Sequence, residues 1–548
     1  VAAAASVAIS GNASLSGVVV ITLAENILSG THRAAISGSD VDALGGGVTV
    51  RATAASIIDA TSVAVGMSVG GSGGFGGSVA VSGTIATNTL TNTVDAVIDA
   101  ASDVDATGAV AVTAEDRSGI MADTAAASLS VAIGGSAAVS LSVAVPIAEN
   151  TVDSTVLARI DGSDADGSSV SVTALRDASI DALGAAVAFS GGGSGNISIS
   201  GAGAGAVARN AIGGGAEAAI LGSNVGASIG GVTVEADDTS SIDSTLVAAA
   251  VSLSVSGTAA ISLAISVTMA ENVITSRTLA TIDNSDVDAA GQVRVDARNM
   301  NDIDSVSIAA AVSLSGAGSL AISGAGAGAV SQNVMDNSVE ASITGGSDID
   351  AGSVDLNATD ASMIWAENTA AALGVAASGG AAASVAVAVS LVEVEYNTST
   401  RALIDASDVT ATSGDVTVDA SANGRIDIRG NGIGVAVSGS AGAAISGGGV
   451  GVVARVTSSS LVEAAIANGS DVRAPSGLVR VAAVDDVDLD VDALGVTLSV
   501  AGSGGLAIAA AVAVIEAVTD MVGVVRAQIA DSNVLAGGDV IVDADATA

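Results

Sequence analysis

Carboxylates are the side chains in this sequence whose number and spacing could do chemistry. Nine copies of one short step, Ser-Asp-Val in most units, begin at Ser39, Ser102, Ser163, Ser223, Ser285, Ser347, Ser407, Ser470 and Ser532, 60–63 residues apart. Seven carry an acid after the Ser (Asp40, Asp103, Asp164, Asp286, Asp348, Asp408 and Asp471), and two carry Asn224 and Asn533. A second set follows Ile at Asp59, Asp181, Asp243, Asp304 and Asp427. If one repeat makes one turn of a stack, equivalent carboxylates stand about 5 Å apart and repel one another. Calcium, which takes carboxylate and carbonyl oxygens, would relieve that repulsion, so structural calcium is the metal these columns suggest. The glycine-rich nonapeptide of calcium-binding β-rolls does not occur, and Asp161–Gly167 is only loosely like a calcium loop. No metal ligand is therefore assigned.

Acid–base catalysis finds less support. His32 is the only histidine, which excludes a recurring His-based triad or metal cluster. Some β-helix enzymes cut polysaccharides with clustered acids, and Asp485, Asp486, Asp488, Asp490 and Asp492 form the densest run. Acids alternating along a strand read as one solvated face, and no Lys or His stands beside them to tune them. Trp365, Tyr396, Phe75 and Phe189 are isolated, and read as plugs or exposed rings rather than a sugar-stacking platform. A Thr-x-Thr row occurs only around Thr87, Thr89, Thr91 and Thr93, too short for an ice-binding face. No catalytic or cofactor-binding residue is assigned, and the chain reads as a non-enzyme. An amide column at Asn26, Asn88, Asn150, Asn210, Asn272, Asn333 and Asn397 reads as a ladder of stacked corner residues. Glu25, Glu149, Glu271 and Glu395 precede that column and read as solvated acids.

The elements that would position these columns repeat with them. Each unit runs through an apolar-alternating segment, a Ser-Gly break, a second alternating segment, the Asn corner, the Ser-Asp-Val step and a closing Val-x-Val-x-Ala strand. Val251, Leu253 and Val255 alternate with Ser252, Ser254 and Ser256, which is the period of a β-strand. Breaks at Ser10-Gly11, Ser190-Gly191, Ser256-Gly257, Ser315-Gly316, Ser378-Gly379 and Ser438-Gly439 read as reversals in which glycine supplies a positive φ. Nine units follow at 1–52, 53–114, 115–174, 175–236, 237–297, 298–358, 359–420, 421–483 and 484–548. The expected fold is all-β, a single elongated parallel β-solenoid in which each unit is completed by its neighbours. One wide coil per repeat predicts a stack of roughly 40 Å, and three narrow coils roughly 130 Å.

Composition narrows the partners. With 57 acidic and 16 basic residues, none of them Lys, the net charge of −41 would repel nucleic acid and anionic lipid. Hydrophobic residues make up 49% of the chain but aromatics only 1%, so the core must be built from Ala, Val, Gly and Ser. Charge-free segments such as those between Asp123 and Glu149 suit strands shielded on both faces, by the core and by another layer or subunit. Regular Ser alternation and the lack of aromatic girdles oppose membrane insertion. The chain opens on Val1 inside a repeat and closes just after a recurring strand, so both ends read as cut from something longer.

Units such as Asn92 to Ile98, Ser102 to Ala106 and Gly108 to Val112 resemble repeats of large filamentous-haemagglutinin-like and leukotoxin-type filamentous adhesins. The resemblance implies a secreted bacterial surface protein with a β-solenoid shaft and a role in attachment or matrix formation. The expected function is the non-enzymatic structural shaft of a giant adhesin or extracellular fibre, binding a host, cell-surface or matrix ligand. The alternative is a self-assembling filament or sheath whose uncharged faces pack laterally between copies.

Overall fold

The structure, a computed structural model, describes residues 1–547 and is a parallel β-solenoid with one coil per repeat. The second coil serves as the type. It runs through Ile57–Ser72 in sheet A, Phe75–Asp99 in sheet B, and the short strands Asp103–Ala106 and Val110–Asp116 in sheet C. Every strand pairs in parallel with its equivalent one repeat away, as Ile57 does with Gly119 and Phe75 with Ala137. Sheets A and B each contain nine strands, so backbone groups are satisfied along the stack. At about 4.8 Å per coil the nine coils rise about 40 Å, whereas the 25-residue strand of sheet B runs about 80 Å.

In cross-section the coil is a head and a blade. The head closes sheet C against the C-terminal part of sheet B. There Val110, Val112 and Ala114 meet Val94, Ala96 and Ile98, all fully buried. The blade packs sheet A flat against the N-terminal part of sheet B. Its interior is made of small residues such as Ala126, Ser128 and Ser130 against Ser140, Ser142 and Ala144. Buried hydroxyls pair across the gap in a zigzag, Ser130 Oγ donating to Ser78 Oγ at 2.9 Å and Ser140 Oγ to Ser130 Oγ at 2.9 Å. These hydroxyls thereby recover bonds lost with water, whereas others of the same interior, such as those of Ser198 and Ser252, have no partner among the described residues. The gap is filled mostly by Ala, Ser, Thr and Gly, with buried exceptions such as Val18, Val20, Val450 and Val452, so most of the bulky half of each alternating strand faces outward. In the fifth coil Ser252 and Ser254 are buried, whereas Leu253 and Val255 are exposed. The second shielding layer expected over these strands is not supplied by the chain itself.

The turns differ from expectation in their position and in their backbone. Sheet A passes to sheet B by an arc of two residues between different sheets, such as Gly73-Gly74. Ser190-Gly191, Ser315-Gly316 and Ser438-Gly439 lie inside strands; the reversals in those coils fall at Gly195-Asn196, Gly318-Ser319 and Ala441-Gly442. Glycine serves the arcs by close approach: a β-carbon on Gly257 or Gly135 would collide with the carbonyl of the arc beneath it.

Positive φ belongs to the Ser-Asp-Val step instead. The residue before the Ser is left-handed in all nine coils, at φ from 47° to 88°, and is Ala in Ala101 and Ala406. The Ser then ties coils together. The amides of Ser39, Ser102, Ser163, Ser223, Ser285 and Ser407 donate to the Ser Oγ of the next coil at 3.1–3.2 Å. The step is thus a stacked turn that points Asp outward and Val inward.

Candidate interaction surfaces

Register brings the Ser-Asp-Val acids into one outer row, Asp40, Asp103 and Asp164 on one side of Asn224 and Asp286, Asp348, Asp408 and Asp471 on the other. A parallel row two residues on holds Asp42, Asp105, Asp166, Asp288 and Asp350. Partial loss of water, then the neighbouring carboxylates, pushes Asp103, Asp166 and Asp348 above the usual carboxylate range. Asp166, Asp288 and Asp350 line an open groove of about 600 Å³. Among the described residues no three His, Cys, Asp or Glu side chains converge to hold a metal ion. The carboxylates form a file along the axis, not a cage.

The Asp59 set is also one column, with Met121 and Trp365 interrupting it and Asp490 extending it. Burial, then Asp243 and Asp302, raises Asp304 to about 6. The dense acid run splits. Asp485 turns into the interior and accepts a bond from Ser460 at 2.5 Å, whereas Asp488, Asp490 and Asp492 face solvent. His32 is half-buried in the first coil beside Val94 of the second. Tyr396 is a fully buried plug, whereas Phe75 is exposed.

The Asn ladder forms from Asn26 to Asn333. Each Nδ2 donates to the Oδ1 of the next coil at 2.8–2.9 Å. Asn397 is not in it. Register places Val394 beside Asn333, and Asn397 lies three residues further on, bonded to Glu395. Among the described residues the ladder's last donor, Asn333 Nδ2, has no partner. Asn150→Ala should cost about 2–5 kcal/mol, because it strands Asn88 Nδ2 and Asn210 Oδ1 in the interior. Urea unfolding measures this, and the terminal Asn333→Ala should cost less.

Glu395 likewise leaves its column to Glu393. The column alternates charge: Arg209 bridges Glu149 at 3.1 Å and Glu271 at 3.2 Å, and Arg455 lies 3.8 Å from Glu393. Glu149 and Glu271 thus share one guanidinium along the axis, whereas Glu25 and Glu395 have no Arg partner among the described residues.

One column escaped the reading of the sequence. Two residues beyond the closing Ala, strand alternation turns Asp116, Arg176, Asp238, Asn299, Asp360 and Asp485 inward, at the boundary between the head and blade cores. Arg176 Nη1 pairs with Asp238 at 2.8 Å with both side chains fully buried, and Nη2 donates to the Gly213 carbonyl at 2.6 Å. Ser240 and Ser276 also donate to Asp238. Burial raises Asp360 to about 6 despite bonds from Ser362 and Asn337. Extending the Val-x-Val-x-Ala period by one more inward position would have revealed the column.

The largest surfaces are the two outer faces of the blade. From the arc to the Glu/Arg column, sheet B presents no charged side chain outward, and exposes residues such as Leu141, Leu263, Ile265 and Val385. Between the column of Asp123, Glu367, Arg429 and Asp492 and the arc, sheet A does the same on the opposite side with residues such as Val187, Val255, Ile433 and Leu498. Continuous apolar faces of this size mark interaction surfaces. No family model, curated protein or solved structure matches this chain.

Proposed function

We propose that this chain is a non-enzymatic structural segment of an extracellular bacterial surface fibre, whose solenoids pack side by side through the blade. The observation that carries this reading is the inverted blade, which holds its hydroxyls inside and its branched apolar residues outside on both faces. A shaft acting alone in water gains nothing from such faces, and burying them removes apolar area from water at about 25 cal/mol per Å². Lateral assembly is therefore favoured over a free adhesin shaft. The resemblance to filamentous-haemagglutinin-like and leukotoxin-type adhesins supports the cell-surface setting, and the charge of −41 argues against nucleic acid as a partner.

Sedimentation velocity and electron microscopy of the purified chain test the reading. Ordered layers or discrete oligomers are expected at micromolar concentration. A chain that stays monomeric there would sink it.

A further inference from the structure

The outer face of sheet B is corrugated, not merely apolar. In the fifth coil Leu263, Ile265 and Val267 stand exposed by 47%, 46% and 44%. In the sixth coil the same three places are Gly324, Gly326 and Gly328. The middle position alternates through six coils as Val143, Gly203, Ile265, Gly326, Val387 and Gly449. Ridges of branched side chains thus recur every second coil, about 10 Å apart, with troughs of bare backbone between them.

The solenoid itself does not require those troughs. The trough glycines have ordinary extended backbone, and a β-carbon on Gly203, Gly326 or Gly449 would meet nothing closer than 3.6 Å. Glycine in a strand weakens it, and commonly marks a place where another surface approaches closely.

The geometry points to the same face of a second copy as the occupant, a proposal that rests on the lateral-assembly reading above. A copy turned end for end about an axis along the strands, between the fifth and sixth coils, brings the third coil over the eighth, the fourth over the seventh and the fifth over the sixth. Each ridge then meets a trough, with Ile265 over Gly326 of the second copy, Val387 over its Gly203 and Val143 over its Gly449. Strand direction is preserved, so the charge-free parts coincide and the arcs lie side by side. The pairing is two-fold and self-complementary, the commonest kind in homo-oligomers. Six coils by the eleven residues from Ala137 to Ile147 make a patch of about 30 by 36 Å. That is about 1,000 Å² per copy, within the range of stable specific interfaces. Fluid hydrocarbon would cover the face equally well without ridges or troughs, so the corrugation favours the ordered partner.

Sedimentation equilibrium of the full chain and of two variants tests the proposal, with thermal melting as the check on folding. Gly326→Val fills a trough that has room for it within one chain. It should melt no lower than the wild type, yet weaken association at least about tenfold by overpacking against Ile265 of the second copy. Ile265→Ala/Gly326→Val exchanges ridge and trough and should recover most of the lost affinity. Association undiminished in Gly326→Val would overturn this interface while leaving lateral assembly standing, through sheet A for example. A wild-type monomer would overturn both. Flotation with neutral phosphatidylcholine vesicles in place of self-association would give the face to lipid and overturn the proposal.

Discussion

Arg176→Met should be the most destabilising single change in the chain, lowering stability by about 3–5 kcal/mol. Arg176 and Asp238 are both fully buried and join the third coil to the fourth. Removing the guanidinium leaves the Asp238 carboxylate without its counter-charge in a place water cannot reach. Two hydroxyls, of Ser240 and Ser276, remain to it. The desolvation cost of the charge is then no longer offset. Adding Asp238→Asn should restore much of the loss, because the next coil already holds Asn299 at the equivalent position. Urea unfolding measures the totals, and hydrogen exchange should place the loss at the third and fourth coils, since solenoid stability is a sum of local units and interfaces. A loss below about 1 kcal/mol would show that the pair is solvated in solution.

Mild acid should stabilise this protein, against the habit of most folds. Asp360 is fully buried and its carboxyl is raised from 3.8 to about 6, chiefly by burial, with the hydrogen bonds from Ser362 and Asn337 opposing and Asp238 adding to the rise. A native group that holds its proton more tightly than the unfolded chain contributes stability that is complete below the unfolded value. That stability is lost as pH rises through about 6. On the order of 3 kcal/mol is therefore at stake at Asp360 between pH 4 and pH 7. Asp237 and Asp304, raised to about 6 by burial and neighbouring acids, act in the same direction. Their partial exposure makes their shares smaller. Urea midpoints should rise as pH falls from 7 toward 4.5. Asp360→Asn should raise stability at pH 7 by about 1–3 kcal/mol and flatten the pH dependence. A midpoint that falls over this range, with Asp360→Asn no more stable than the wild type, would refute the assignment.

Much of the coil was legible because a stacked repeat writes its constraints once per turn. The Val-x-Val-x-Ala pattern marks a closing strand at Val110, Val112 and Ala114, and those residues form part of the core of the head. The amide ladder was readable from Asn26 to Asn333 because each coil repeats its corner. It was misread at Asn397 because similarity of residue type hid a three-residue offset that only pairing with the neighbouring coil reveals. The six Ser-Gly breaks suggest left-handed glycine at the reversals. The structure places left-handed backbone at the Ser-Asp-Val step, even on Ala101 and Ala406, where stacking dictates the turn regardless of residue.

Whether each repeat makes one wide coil or three narrow ones was open in the sequence, which set the repeat, the strand period and the columns in which acids and amides recur. Those three follow from side-chain spacing along the chain. Which half of each alternating strand lies inside is settled by how the sheets pack. Period 2 separates Ser252 and Ser254 from Leu253 and Val255 without saying which pair faces the core, and hydrophobicity alone would have buried the branched pair. The close approach of sheets A and B reverses that choice over most of the blade, because small hydroxyl side chains that bond to one another fill the narrow gap. A branched one is accommodated where glycine lies opposite, as Val450 is against Gly432 and Gly434. That reversal leaves two apolar faces outside, and they carry the functional reading.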